Sequence, residues 1–353
     1  MPLIIIDGRK LDDFGIGRYL EGLLGALARR ADPWSYAVPC RAERAAWIEA
    51  LGPRFRALPS RLPLYSLREL GGFGAPLRAL RPALLHAPHY VLPLRLPCPA
   101  LVTIHDPIHL LFPAWWSRPG RYLYARWMMR SAARRAQRVI AVSASAAADL
   151  RLCLGLPQDA LEVIPNGGGE PRSAPAAAPS APTGDYLLFV GNPLPHKNLA
   201  GLLCAYAVYR ARQAAPAELL IAGGAAPVAA PGVRSLGRVG EPELLALYRA
   251  ARAVVIPSLY EGFGLVLLEA LREGVPALAS DLPALRELAE DAALFVDPRD
   301  GAAWAAGIER ILGDKPLRAR LRREGPARAR RFSWERSAAA HARLYDELIG
   351  PGP

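Results

Sequence analysis

The 353-residue sequence predicts an α/β protein of the doubly wound class, built as two successive parallel-sheet domains. Three observations predict it. Short apolar runs such as Leu3–Ile6, Ala100–Ile104 and Ala253–Ile256 recur between turn or polar residues, the pattern of strands buried on both faces. Longer segments with helical spacing separate these runs. Residues 171–184, a Pro/Ala-rich stretch that can pack no core, interrupt the alternation, which then starts again.

Taken in order, Leu3–Ile6 is the first strand, Gly15-Ile-Gly17-Arg-Tyr a glycine loop, and Leu20, Leu23, Leu24 and Leu27 mark an amphipathic helix. Residues 84–86, 100–104 and 139–142 read as further strands, with a crossover helix over 115–138. Beyond the linker come strand 186–190, helix 199–209, strand 219–222, helix 241–252, strand 253–256, helix 264–273 and strands 276–279 and 293–296. Trp334, Ala338, His341, Leu344 and Tyr345 share one face of a last helix. The expected domains are 1–170 and 185–332, joined by 171–184, with 333–353 crossing back to the first.

Composition narrows the class. Hydrophobic residues make up 52% and charged residues 22%, yet no apolar run reaches the roughly 18 residues of a spanning helix. The opening Met-Pro-Leu-Ile-Ile-Ile-Asp lacks a basic head and reads as a strand, not a signal peptide. Cys40, Cys98, Cys153 and Cys204 form no close pair, so free thiols in a reducing cytoplasm are expected. The net charge of +12 is uneven: residues 1–170 hold 22 Lys and Arg against 13 Asp and Glu, and residues 171–353 hold 22 against 19. A basic first half suits a phosphorylated acceptor, an anionic membrane face or nucleic acid, or is simply an arginine-rich surface. Only Lys10, Lys197 and Lys315 among the 44 cationic residues are lysines.

In open parallel sheets, ligands sit beyond the carboxyl ends of the strands, so the loops after the apolar runs are the places to look. The loop after Ala253–Ile256 reads Pro257-Ser-Leu-Tyr-Glu261-Gly-Phe-Gly264 and opens a helix near Leu265. Gly262 and Gly264, on either side of Phe263, allow a tight turn and close approach to a ligand. The unpaired N–H groups of the first helical turn suit a diphosphate or a sugar hydroxyl. Glu269 follows Val266-Leu267-Leu268, where an unpaired carboxylate is costly, and it can accept two hydrogen bonds from a vicinal diol such as ribose O2 and O3. The loop after Tyr186–Val190, Gly191-Asn-Pro-Leu-Pro-His196-Lys197-Asn198, is a second strand–loop–helix cradle with the compact cation Lys197 at its rim.

The frame Glu261…Glu269 resembles the E-x7-E signature of retaining glycosyltransferase family 4, whose members have the GT-B fold: two Rossmann-like domains facing a cleft. Val139-Ile-Ala-Val-Ser143, Val163-Ile-Pro-Asn166-Gly167 and Val255-Ile-Pro-Ser258 fall in the family's order, and the resemblance spans about residues 2–348. It implies that Glu269 holds the nucleotide ribose and Glu261 contacts the donor sugar. The backbone of Gly262, Phe263, Gly264 and Leu265 then donates to sugar hydroxyls, and Lys197 stabilises the leaving diphosphate. Where the family has an arginine shortly after the glycine this chain has Asn192, leaving His196 or Arg238 to supply a second cation. Val239, in Gly237-Arg238-Val239-Gly240, corresponds to the backbone that frames the base. Gly15-Ile-Gly17-Arg18 resembles the N-terminal glycine loop that approaches the donor phosphates and the acceptor. Leu20 in the third glycine position disqualifies it as a dinucleotide fingerprint. His105, in Thr103-Ile-His105-Asp106, is similar to the family histidine that lines the reaction centre.

The implied activity is hexose transfer, mannose or glucose type, from a GDP- or UDP-sugar to a glycan or polyprenyl-diphosphate-linked acceptor, with retention and with no cofactor or nucleic-acid partner. No D-x-D follows a strand, and His86/His89 and His105/His109 lack Cys or Glu partners, so no obligatory metal is expected. The basic, aromatic stretch from Trp115 and Trp116 through Trp127 to Arg138 is suited to an anionic membrane surface or a polyprenyl diphosphate, or is an ordinary crossover helix. A cytoplasmic enzyme, peripheral at the inner membrane face, is the expectation. Two other readings use the same residues: a nucleotide-sugar epimerase of this fold, and a non-catalytic glycan- or membrane-binding module.

Overall fold

The computed structural model describes residues 1–62, 67–115, 119–170, 185–224 and 228–350, in two compact units. The first takes Met1–Gly167 together with the chain from Trp334 onward; the second is Gly168–Ser333. The linker 171–184 and residues 116–118 lie outside the described residues.

The first unit holds seven parallel strands: β1 (Leu3–Ile6), β2 (Ser35–Cys40), β3 (Phe55–Pro59), β4 (Leu84–Ala87), β5 (Ala100–Ile104), β6 (Arg138–Ala141) and β7 (Leu161–Val163), in spatial order 3-2-1-4-5-6-7. Ile4 pairs with Tyr36 on one side and Leu84 on the other, and Ile4, Ile5 and Ile6 are wholly buried. That two-sided burial explains the unbroken apolar runs. Strands β2 and β3 lack such a run. β2 carries Pro39, and the edge strand β3 alternates, burying Phe55 and Ala57 while Arg56 faces solvent.

Leu20, Leu23, Leu24 and Leu27 of the helix Phe14–Ala28 pack into the same core as Ala338, Ala342 and Tyr345 of the C-terminal helix Trp334–Ile349. The first of these helices corrects the sequence reading. It begins at Phe14, so Gly15 and Gly17 lie in its first turn and not in a preceding loop. Gly17 N donates to the Asp13 carbonyl at 2.8 Å. A Cβ on Gly17 would stand 2.4 Å from the Leu11 carbonyl oxygen, so backbone packing alone demands glycine there.

A buried polar chain fastens the C-terminal helix to this unit. His341 Nδ1 must donate to the Ser337 carbonyl (2.8 Å), so its Nε2 accepts from the Tyr19 hydroxyl (2.8 Å). Tyr19 then accepts from Thr103 Oγ1 (3.0 Å), Thr103 accepts from His86 Nε2 (2.8 Å), and His86 Nδ1 accepts from the Tyr345 hydroxyl (2.7 Å). One set of neutral tautomers satisfies every member, and burial pushes both histidines below their ordinary pKa, His341 to about 4.

The second unit has six parallel strands: β8 (Tyr186–Val190), β9 (Glu218–Ala222), β10 (Val233–Gly237), β11 (Ala253–Ile256), β12 (Ala277–Ser280) and β13 (Leu294–Val296), in order 10-9-8-11-12-13. The strand order reverses between β8 and β11, which pair directly through Leu187–Ala253 and Leu188–Val254. The two motif loops singled out above leave the carboxyl ends of these two strands. They therefore flank the topological switch point, where open α/β sheets bind ligands.

Candidate active site

The two switch-point loops are tied together at several places. Past β8, Gly191 adopts a positive φ of 148°, and the chain continues through a short 3-10 turn, Pro195–Lys197, to Asn198. Leu259 N, in the loop after β11, donates to the His196 carbonyl at 2.7 Å. Asn198 is left-handed (φ 51°), a conformation that asparagine tolerates better than most residues. Its Nδ2 donates to the carbonyls of Pro257 and Pro298, both at 3.1 Å, joining the loops after β8, β11 and β13. Gly201 makes room for it: a Cβ there would meet Asn198 Oδ1 at 2.5 Å.

On this frame the Lys197 ammonium meets Glu261 Oε1 at 2.7 Å, and Ser258 Oγ donates to the same oxygen at 2.7 Å. Burial alone raises the pKa of Glu261. The charge and hydrogen bond of Lys197, the Ser258 hydroxyl and the charge of His196 outweigh it, so the carboxyl sits below its ordinary pKa and is ionised at neutral pH. A compact cation and an ionised carboxylate thus share one spot at the mouth of the switch point.

Beyond Glu261 the chain makes the turn that the glycines predict. Gly264 has φ 103° and caps the helix Leu265–Arg272; a Cβ on it would lie 2.5 Å from Leu285 Cδ2. Phe263 is buried edge-to-face against Phe332 at 5.8 Å, so its ring belongs to the core and only its backbone serves the turn. No side chain caps this helix, and the first N–H groups of such a helix lack intrahelical partners. Glu269, inside the helix, is 7% exposed and accepts from the Tyr248 hydroxyl at 2.7 Å. Tyr248 comes from the helix Glu241–Ala250, so this hydrogen bond ties the carboxylate to a neighbouring element.

Val239 lies in the short connection between β10 and that helix. Gly223, after β9, holds this connection in place by donating to the Gly237 carbonyl at 2.7 Å. Asn192 uses its side chain structurally, Oδ1 accepting from Gly224 N at 3.2 Å. It therefore braces the loops after β8 and β9 where the family places a cation. Sequence reasoning missed Asn198, Ser258 and Tyr248. Asn198 did leave a signal, an asparagine between a loop and a helix start. Tyr248 left none, because its partner is 21 residues away.

In the first unit, His105 follows β5. Its Nε2 donates to the Pro88 carbonyl at 3.0 Å and its ring stands edge-on to Tyr19 at 4.9 Å. Burial, with the charge of Lys10 nearby, lowers its pKa to about 4, so it is a neutral imidazole at pH 7. Asp106 does not orient it; its Oδ1 accepts from Ile108 N at 3.0 Å and starts a short helix. The loop after β1 holds a buried charge cluster that the sequence did not reveal. Arg9 binds Asp7 through two nitrogens and Glu69 at 2.8 Å, and lies 3.6 Å over the Phe73 ring. Lys10 pairs with Asp13 at 2.6 Å. Among the described residues, no group of three or more His, Cys, Asp or Glu is placed to hold a metal ion.

Comparison with known proteins shows the family. Residues 15–167 match the family model Glycosyltransferase Family 4, and residues 173–328 match Glycosyl transferases group 1. O-antigen chain mannosyltransferase B of Escherichia coli is 30% identical over 292 residues, 77% of this chain and 76% of that protein. MMP alpha-(1->4)-mannosyltransferase of Mycolicibacterium hassiacum is 29% identical over 280 residues, 71% and 66% of the two chains. The structure of Anabaena HepE in complex with UDP-glucose superposes with a TM-score of 0.74 at 18% identity, covering 98% of this chain and all of that one. The chain belongs to glycosyltransferase family 4 and has the GT-B fold of two Rossmann-like domains. It is a hexosyltransferase.

Proposed function

We propose that this enzyme transfers a hexose, mannose or glucose type, from a GDP- or UDP-sugar to a hydroxyl of a glycan or polyprenyl-diphosphate-linked acceptor, with retention and without an obligatory metal. The observation that carries the reading is the Lys197–Glu261 pair at the switch point of the second unit. An arriving diphosphate offers Lys197 two negative charges in place of one carboxylate. Glu261 is then free to accept from a sugar hydroxyl, while the turn formed by Gly262, Phe263, Gly264 and Leu265 supplies backbone N–H groups. Glu269, held by Tyr248, takes the ribose diol, and the backbone at Val239 frames the base. As bonds to the leaving diphosphate break, Lys197 and the helix start at Leu265 stabilise the growing charge, a role that preorganised donors fill well.

In the first unit, neutral His105 is assigned a polar contact to the reacting sugar, and Gly17 its place near phosphate, on the family resemblance. The mannosyltransferase relatives favour mannose. The enzyme acts in the cytoplasm, peripheral to the membrane. Incubation with labelled GDP-mannose and UDP-glucose, with and without acceptor extracts, tests the reading. Label moving into a larger product supports it, whereas acceptor-independent conversion of the donor into its epimer replaces it with an epimerase.

A further inference from the structure

Glu290 holds a backbone conformation that its side chain does not favour. Its φ is 49° and its ψ −119°, a combination open to glycine and strained for a residue with a Cβ. It follows the helix Pro283–Ala289, which carries the buried Leu285 and Leu288. Those two leucines are the wall behind Gly264: a Cβ added there would lie 2.5 Å from Leu285 Cδ2 and 3.4 Å from Leu288 Cδ2. The strained residue therefore ends the element on which the turn at Gly264 rests. Strain of this kind persists where the surrounding structure over-determines it.

Arg328, in the last turn of the helix Lys315–Ala329, supplies the restraint. Its Nε donates to the Leu288 carbonyl at 2.8 Å, its Nη2 to the Glu287 carbonyl at 2.6 Å, and its Nη1 meets Glu290 Oε1 at 2.8 Å. The two carbonyls are among those that a helix end leaves without intrahelical partners, and a cation suits that end of the helix dipole. The ion pair alone does not account for the strain: Glu290 is 60% exposed, where such a pair contributes little. The guanidinium carbon also lies 5.3 Å from the centre of the Phe332 ring, and Phe332 packs edge-on against Phe263. Arg328 thus reaches the turn at residues 262–265 from two sides, through Leu285 and Leu288 to Gly264 and through Phe332 to Phe263. We propose that Arg328 is a positioning residue of the transfer reaction: by holding the strained end at Glu290 it keeps this helix against Gly264, so that the turn presents its N–H groups to the donor sugar in a fixed direction. The proposal rests on the reading of that turn as the sugar contact.

The test sets label transfer from saturating GDP-mannose or UDP-glucose into acceptor extracts beside calorimetric affinity for free GDP and UDP, well below the melting temperature. Arg328→Lys keeps a charge opposite Glu290 and gives up the planar fork that spans the two carbonyls. It should transfer about tenfold or more slowly, since a small displacement of a positioning element is felt at the reacting centre. Its nucleotide affinity should stay within about threefold of wild type, because Lys197 and Glu269 keep their places. Glu290→Gly takes the backbone without strain and should melt at or above the wild-type temperature. In Arg328→Lys/Glu290→Gly the helix end has no strain to release, so transfer should recover to within about threefold of wild type. Wild-type transfer by Arg328→Lys overturns the proposal. An equal fall in transfer and nucleotide affinity also overturns it, as general loosening of the unit. So does a double variant no faster than Arg328→Lys, or Glu290→Gly melting below wild type. A wild type that binds neither GDP nor UDP, or transfers neither sugar, removes the donor-site reading itself, and the proposal falls with it.

Discussion

The Lys197 ammonium and the Glu261 carboxylate meet at 2.7 Å although 64 residues separate them, because their loops leave the paired strands β8 and β11 at the reversal of strand order. The pair holds each partner in place before a donor arrives. Replacing Glu261 by Gln keeps the size and removes the charge proposed to meet the sugar. Turnover should fall about a hundredfold, as when one preorganised transition-state contact is lost. Affinity for the free nucleoside diphosphate should stay within about threefold, since Lys197 remains. Steady-state kinetics with calorimetry of UDP and GDP separates the two; an equal drop in both would mean that Glu261 only supports Lys197.

Tyr248 donates a 2.7 Å hydrogen bond to Glu269. Tyr248→Phe should cost about 1 kcal/mol of stability and weaken nucleotide binding several-fold. Glu269→Ala should weaken it further, and lose that extra effect when the ligand carries a 2′-deoxyribose. A full effect of Glu269→Ala on the deoxy ligand would move the ribose away from this carboxylate.

Asn198 combines a left-handed backbone with two side-chain bonds to Pro257 and Pro298. Asn198→Gly keeps the conformation and loses the bonds; Asn198→Ala loses both. The expected order of melting temperatures is wild type, then glycine, then alanine, with about 1 kcal/mol between the last two. Alanine melting above glycine would show that the backbone conformation is not what matters there.

Much of this was legible in the sequence. Strands such as Ala100–Ile104 and Ala253–Ile256 stand out because burial on both faces makes them continuously apolar, and the glycines flanking Phe263 announce a turn that structure gives a φ of 103° at Gly264. β2, β3, β7 and β10 did not stand out, since edge or mixed strands such as Phe55–Pro59 and Val233–Gly237 carry polar residues. Gly15 and Gly17 read as a loop but lie in the first turn of a helix. At Gly17 close backbone packing asks for the same residue as a ligand loop would, whereas a Cβ on Gly15 would meet nothing within 4 Å. Glu261 and Glu269 could be named from their spacing, but the partner Tyr248 could not, since a hydrogen bond between elements leaves no periodic trace. Ser258, three residues before Glu261 in the same loop, was legible only as part of the motif.

The buried chain from Tyr345 to Ser337 makes the first unit sensitive to acid. Burial brings His341 down to about 4 and holds His86 well below its ordinary value in the folded protein, against about 6.5 for each in the unfolded chain. Below about pH 6.5 the unfolded chain binds protons that the native protein excludes. Stability is therefore complete above about pH 6.5 and falls as the pH drops toward 4, by up to about 1.4 kcal/mol per pH unit for each histidine. Buried His89 and His105, lowered to about 3 and about 4, act in the same direction. Scanning calorimetry should show the melting temperature falling steadily from pH 7 to 5; a flat profile would contradict the neutral chain.

The most direct test of the donor site is calorimetric binding of GDP and UDP to wild type, Lys197→Ala and Glu269→Ala. Loss of one charge-assisted contact costs about 1.5–3 kcal/mol. Each variant should therefore bind its preferred nucleotide at least tenfold more weakly, and Glu269→Ala should also melt lower in the absence of ligand, because the buried Tyr248 hydroxyl loses this acceptor. Wild-type affinity in both variants would contradict a nucleotide-sugar site at the β8–β11 switch point.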